Sequence, residues 1–342
     1  MSEVVRLVET GWDRDLAYAN EAGPMPIPEP GQVVVQVEAC GVCHRDLIDR
    51  GGRFPFQRTP IVPGHEAAGH VVAVGRDVRD WKIGDRVGTM HRDSCGECRA
   101  CRAGETSLCV GAAWVFGILA DGGYARHLVA PESALYALSN DFSGPEAAVL
   151  HCTFGTSYRD LVTIGHVTRG ERVLITGASG GVGSAAVQIA SRLGAEVVAV
   201  VRDPKRRAFV ESLGAARVIV DDGTRFHADL AGTIDLALDT VGVSTFASAL
   251  RSLRVGGRVV VVGNIVPEKV GLNLGYVITN GLTIAGGSGA TRADMRALQE
   301  LHRQQPFRVP IADALPLRRA DEAQRRLRAG SIEGRLALVP DA

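Results

Sequence analysis

The stretch RVLITGASGGVGSAAVQIA, residues 172–190, decides the fold. Val173, Leu174 and Ile175 read as a buried strand, and the residues after Gly183 carry helical spacing. Between them, Gly177, Ala178, Ser179, Gly180, Gly181, Val182 and Gly183 make a glycine-rich turn. Glycines let a backbone approach a pyrophosphate, whose charge sits well at a helix N-terminus. Against the spacing G-x-G-x-x-G the slots are Ala178, Gly180 and Gly183, with Gly177 and Gly181 extra. Alone, such a turn is only a tight turn. Between a strand and a helix it predicts a dinucleotide site.

The pattern repeats downstream. EVVAVV, ARVIV, IDLALDTV, GRVVVVG and LTIAG alternate with helical segments. That order predicts a doubly wound parallel sheet covered on both faces, over residues 146–289. Upstream, to about residue 130, short Val-rich strands and Gly/Pro turns predict a β-rich, barrel-like domain. Ser143 caps a helix whose first turn holds Pro145 and Glu146, and a second helix includes Tyr158 and Leu161. The tail from about 290 closes on the strand GRLALVP and is expected to return to the first domain, because the nucleotide domain is already complete. The expected organisation is 1–145 with 290–342, and 146–289 between them.

The strand EVVAVV chooses the cofactor. An NAD enzyme usually places Asp or Glu about twenty residues beyond the turn, on the ribose 2′-hydroxyl. Val201 holds that slot here, followed by Arg202, Lys205, Arg206 and Arg207. An arginine binds a 2′-phosphate in a fork, so NADPH is favoured, through Arg202 and Arg206. The alternatives are a solvated helix start, or Asp203 turned to a ribose.

Bulk composition narrows the class. The chain has 342 residues, 46% of them hydrophobic, enough for two domains with cores. Lys and Arg number 38 against 38 Asp and Glu, so no charge imbalance points to nucleic acid or an anionic membrane. MSEVVRLVETG lacks the basic and apolar regions of a signal peptide, and no apolar run matches a bilayer span. The expected compartment is the cytoplasm, where seven cysteines favour metal or catalysis over disulfides.

CGECRACRAGETSLC places Cys95, Cys98, Cys101 and Cys109 at C-x2-C-x2-C-x7-C. Four thiolates at that spacing predict a closed tetrahedral zinc site that orders a lobe at about 91–110. Cys40 reads as a buried thiol. Cys43 in GVCHRD, His65 and Glu66 in PGHEAAG, and Cys152 in VLHCTFG are candidates for a second site. Two thiolates and an imidazole leave a fourth zinc position open, but spacing alone does not join residues so far apart.

Together GVCHRD, GHEAAGHVVAVG, GDRVG, the four-cysteine lobe, GASGGVG, DTVG and GRLALVP resemble, in this order, the zinc-containing medium-chain dehydrogenase/reductase superfamily, which includes the alcohol dehydrogenases. The resemblance covers nearly the whole chain. It implies an α/β protein with a GroES-like catalytic domain, an inserted Rossmann domain and an active site in the cleft between them. It further implies two zincs per chain, a small-molecule substrate and a homo-oligomer, dimer or tetramer. Position by position, Cys43, His65 and Cys152 match the catalytic zinc ligands. Glu66 matches an acid that is an alternative ligand or stands behind the ligands. Asp46 matches a carboxylate that orients the ligand histidine, with a local helix cap as its plainer role. His44 matches a basic residue near the cofactor pyrophosphate, or is a surface histidine. Thr156 matches a residue against the nicotinamide.

Arg45 departs from the pattern. Alcohol dehydrogenases carry Ser or Thr there, and that hydroxyl passes the alcohol proton outward. Arginine stays protonated and is no base. Ile48 occupies the place of a relay histidine. Arginine at this slot is normal in the zinc-containing acryloyl-CoA reductases, which the chain also resembles in TGASGGVG, DTVGVSTFASALRSLRVGGRVVVVGNI and LNLGYVITNGLTIAG. The resemblance implies hydride transfer to the β-carbon of a conjugated C=C, with the enolate charge met by zinc or Arg45. The plainer reading of Arg45 is an outward ion pair with Asp46 or Asp49. An alcohol dehydrogenase or carbonyl reductase with another proton path is the second expectation, and a non-catalytic NADPH-binding protein the third. Pocket walls are expected from GRFPFQRTP (52–60) and AAWVFGIL (112–119).

Overall fold

In the computed structural model, residues 2–21, 23–264, 266, 268–330 and 332–341 are described. Contacts divide the chain into two units. One is Met1–Cys152 with Thr291–Gln299 and Val309–Ala342; the other is Thr153–Ala290 with Glu300–Arg308.

The second unit is built on six parallel strands. Their spatial order is Arg217–Val220, Glu196–Val201, Arg172–Ile175, Ile234–Asp239, Leu253–Val261, Thr283–Gly286. In chain order that is 3-2-1-4-5-6, the order of a Rossmann doubly wound sheet. The central strands are apolar along their length because helices cover both faces. Val173, Leu174, Ile175, Val197, Val198 and Ala199 have no exposed surface, and each such Val, Leu or Ile contributes roughly 1.5–3 kcal/mol by leaving water. Strand order reverses between Arg172–Ile175 and Ile234–Asp239, where sheets of this kind hold ligands at their carboxyl ends.

The first unit centres on a sheet in the order Ile311–Pro316, Arg335–Val339, Gln32–Val42, Ala67–Val74, Arg86–Thr89, Leu135–Ala137. His127–Pro131 also pairs with the long strand Gln32–Val42. The tail strand Arg335–Val339 runs antiparallel to the far end of that strand, Leu336 opposite Val42. Val33, Val35, Val37, Leu128, Leu336 and Leu338 form its core with Tyr124 and Phe116.

The first boundary lies later than the sequence placed it, and residues Glu300–Arg308 of the tail, expected in the first domain, belong to the second unit. Ser143 and Glu146 cap the helix Gly144–Leu150 reciprocally, with Ser143 N and Oγ 2.9 and 2.7 Å from Glu146 Oε2. The buried run Ala147–Leu150 keeps this helix on strands Gln32–Val42 and Ala67–Val74, in the first unit. The second helix expected around Tyr158 and Leu161 consists of the short Thr156–Tyr158 and the wide-turned Arg159–Ile164. Among the described residues, no helix is long and apolar enough to cross a membrane.

Candidate functional site

Three sequence-distant segments meet in the first unit. Cys43 ends the long strand in an extended conformation and caps the helix His44–Arg50. His65 and Glu66 precede Ala67–Val74, after Gly64 at φ +94°, where a Cβ would stand 2.4 Å from the Tyr124 ring. Cys152 follows the helix Gly144–Leu150. The ligand atoms of Cys43, His65, Glu66 and Cys152 lie within 4.8 Å of one another. Cys43 Sγ and Cys152 Sγ are 3.8 Å apart, and Cys152 Sγ is 3.8 Å from His65 Nε2. A tetrahedron with Zn–S bonds of about 2.3 Å has edges of about 3.8 Å, so the donor set and its spacing fit zinc.

Each of these groups has a partner behind it. Asp46 Oδ1 is 3.1 Å from His65 Nδ1, which leaves Nε2 facing the thiols. Asp46 Oδ2 accepts from Cys43 N at 2.9 Å and from the Tyr124 hydroxyl at 3.0 Å. Asp46 is therefore both helix cap and partner of His65. Glu66 is bound by the buried Arg335, whose Nη2 stands 2.6 and 2.5 Å from its two oxygens and also donates to Val42 O at 3.0 Å. A Cβ on Gly41 would fall 2.0 Å from Glu66 Oε2, so only glycine leaves that carboxylate its seat.

Ionisation follows these contacts. Burial lifts Glu66 to about 7 against the opposing charge of Arg335. The hydrogen bond between the thiols pulls Cys43 well down and, with burial, pushes Cys152 well up. Burial and Arg45 pull His65 down, but Asp46 and Cys43 outweigh them and it rises to about 9.

The contacts of Arg45 run to other residues, although its charge reaches His65. Its Nε lies 3.2 Å from Asp49 Oδ2 one helical turn on, and its Nη2 donates to the carbonyl of Phe116. Its side chain is 21% exposed and that of Asp49 only 3%, so the pair is turned inward rather than outward. Of the two expected partners, Asp49 takes the ion pair and Asp46 is occupied by His65. Only Nη2 of Arg45 makes a hydrogen bond; Nε lies beside Asp49 but is buried without a hydrogen-bond partner among the described residues. His44 is exposed at the start of the helix, and Thr156 is buried in the second unit.

Cys95, Cys98, Cys101 and Cys109 converge within one loop, their sulfurs within 4.8 Å. Backbone N–H groups point at them: Cys95 N to Cys109 Sγ at 3.3 Å, Cys98 N to Cys95 Sγ at 3.4 Å, and Cys101 N to Cys98 Sγ at 3.5 Å. The Cys98 and Cys109 sulfurs are 4.0 Å apart, far beyond a disulfide of about 2.05 Å. Such N–H donors favour thiolates, and they bring Cys98 down to about 6.

In the second unit the turn 177–183 sits at the strand-order reversal. Gly177 has φ +57°, and a Cβ on Gly183 would be 2.2 Å from the Gly177 carbonyl oxygen. The helix Gly181–Arg192 starts here, its first N–H groups at the turn. Thr176 Oγ1 and Thr245 Oγ1 donate to the buried Asp239 at 2.7 and 2.6 Å, tying the turn to the neighbouring strand end. Val201 is buried at the end of its strand and Arg202 is exposed. Asp203 accepts from Lys205 N at 2.9 Å, which employs the carboxylate as a cap. Arg206 is half-buried.

Arg335, Tyr124 and Gly41 were not singled out for these roles in the sequence, whereas Asp49 was named as a partner of Arg45. The one signal for Arg335 was a charge opening an otherwise apolar closing strand.

Comparison with known proteins places this architecture. Residues 29–140 match the family model described as alcohol dehydrogenase GroES-like domain, and residues 181–303 that described as zinc-binding dehydrogenase. An acryloyl-coenzyme A reductase of Sulfurisphaera tokodaii is 32% identical over 326 residues, 94% of this chain and 96% of that protein. An alcohol dehydrogenase of Geobacillus stearothermophilus is 34% identical over 317 residues, 91% of this chain and 93% of that protein. The crystal structure of AibC matches with TM-score 0.92 at 41% identity, covering 100% of this chain and 96% of that one.

Proposed function

This chain belongs to the zinc-binding dehydrogenases of the alcohol dehydrogenase family, which are oxidoreductases, and from that premise we propose that it uses NADPH to reduce a conjugated C=C of a small enoyl thioester or enone. Arg45 carries this reading. A guanidinium held by Asp49 and Phe116 stands where alcohol oxidation needs a hydroxyl relay, and Ile48 closes the alternative path. Reduction of a C=C needs no proton taken from an alcohol. Hydride adds to the β-carbon, the π electrons move to the α-carbon and carbonyl oxygen, and a proton from solvent completes the α-carbon. The products are the saturated compound and NADP+.

Cys43, His65 and Cys152 would hold the zinc, with Glu66 as a reserve ligand, and the metal supplies a Lewis acid for charge on the carbonyl oxygen. Asp46 keeps the His65 proton on Nδ1 and so frees Nε2 for the metal. Tyr124 and the Cys43 amide fix Asp46. Arg335 balances Glu66, which would otherwise add a third negative charge beside the two thiolates. Cys95, Cys98, Cys101 and Cys109 would hold a second zinc with a structural role. Buried Val201, exposed Arg202 and the capping use of Asp203 support a 2′-phosphate on the cofactor.

The likeness to alcohol dehydrogenases supports a second reading, reduction of a carbonyl. A conjugated unsaturated aldehyde separates the two. With zinc-loaded protein and NADPH, the proposal expects the saturated aldehyde. An allylic alcohol as the product would sink it. A purely nucleotide-binding role has no support beside a complete ligand cluster in a family of enzymes.

A further inference from the structure

We propose that Arg45 is a positioning residue that fastens the turn 115–120 to the helix His44–Arg50 and thereby sets the wall that selects the organic substrate. The inference rests on the reading of the chain as a reductase with its centre at Cys43, His65 and Cys152.

Three observations carry it. First, the guanidinium bridges two elements: Nε faces Asp49 on its own helix, and Nη2 reaches the Phe116 carbonyl on the turn. Second, the turn is shaped to admit it. Gly117 has φ +77°, and a Cβ there would stand 3.1 Å from Arg45 Nη2. Third, the turn is a junction. Within it, Gly117 N donates to Ala120 O at 2.8 Å and Leu119 N to Val115 O at 2.9 Å. Outward, Ile118 O accepts from Arg58 N at 2.9 Å, and Phe116 N donates to His91 O at 3.3 Å. The His91 ring stands edge-on to that of His65, centroids 5.1 Å apart, and its Nε2 is buried without a hydrogen-bond partner among the described residues. One side chain thus joins the helix that carries Asp46 to the segments at 58 and 91 beside the candidate zinc ligand. A planar guanidinium that meets a carboxylate at one edge and donates to a carbonyl at another does this; a single ammonium does not.

The test uses the zinc-loaded enzyme, NADPH and a series of conjugated unsaturated aldehydes of increasing chain length. Arg45→Ala is expected to raise KM for the aldehyde about tenfold or more, most for the longer chains, while kcat stays within about threefold. KM for NADPH and the zinc content stay as in the parent. Gly117→Ala, which disturbs the same contact from the other side, gives the same split, and Arg45→Lys recovers only part of the loss. Gly117→Ala and Arg45→Lys keep the test alive if Arg45→Ala does not fold. A fall in kcat of about a hundredfold at unchanged KM would overturn the proposal, since Arg45 would then act on the reacting atoms. Unchanged KM in both Arg45→Lys and Gly117→Ala, or loss of zinc from these variants, would overturn it as well. Product identity is read in the same reactions, so an allylic alcohol would strike the C=C reading while the KM split still judges Arg45.

Discussion

The two cysteine clusters solve the same problem in opposite ways. The lobe draws all four sulfurs from one loop and directs backbone N–H groups at them, with Cys95 exposed and Cys98 and Cys101 half-exposed. The other cluster takes ligand atoms from three distant segments, buries His65, Glu66 and Cys152, and surrounds them with side-chain partners. Backbone donors are always present in a loop, so the lobe needs little beyond its spacing. A buried site has no such supply. Asp46, Tyr124 and Arg335 must come from elsewhere in the chain, and their loss leaves charge or polarity stranded.

The comparison breaks most visibly at Arg335. Arg335→Ala leaves Glu66 buried without its counter-charge, and the expected cost is about 3–5 kcal/mol in denaturant unfolding. Adding Glu66→Gln to that variant should recover part of the stability, because the stranded charge is gone. If Arg335→Ala alone unfolds at the parent's midpoint, the buried cluster does not depend on side-chain support. Next in size is Asp46→Asn. It is expected to weaken zinc at the buried cluster about 10–100-fold, with the lobe's zinc unaffected, as read by competition with a chelator. Equal weakening at both sites would mean Asp46 holds the domain rather than the imidazole. The smallest global effect belongs to the lobe. Cys101→Ser should open residues 91–110 to proteolytic cutting while the sheet around Gln32–Val42 keeps its amide-exchange protection. Loss of that protection would show the lobe to be part of the core.

The same contrast explains what could be read from sequence. The glycine turn at 177–183 and the four-cysteine lobe are local, so period and spacing expose them directly. The parallel sheet follows from apolar strands alternating with helices, and its 3-2-1-4-5-6 order agrees with the Rossmann class. Contacts across the chain leave no periodic trace. Glu66 and Arg335 are 269 residues apart, and Asp46 and Tyr124 are 78 apart, so nothing near any of them announces the partner. Cys43 and Cys152, 109 apart, were joined only through the family resemblance. Arg45 was visible as an oddity, but its use was not, because Phe116 offers a backbone carbonyl and a carbonyl carries no sequence signature. The domain boundary falls at Cys152/Thr153 rather than 145/146 for a related reason: a helix with a run of buried residues is assigned by what it packs against.

Zinc per chain, measured by native mass spectrometry on the parent, Cys101→Ser and Cys152→Ser, tests this account most directly. Two zincs in the parent and one in each variant, with NADPH-dependent reduction retained by Cys101→Ser and lost from Cys152→Ser, is the predicted result. A single zinc in the parent, or full reduction by Cys152→Ser, would contradict it.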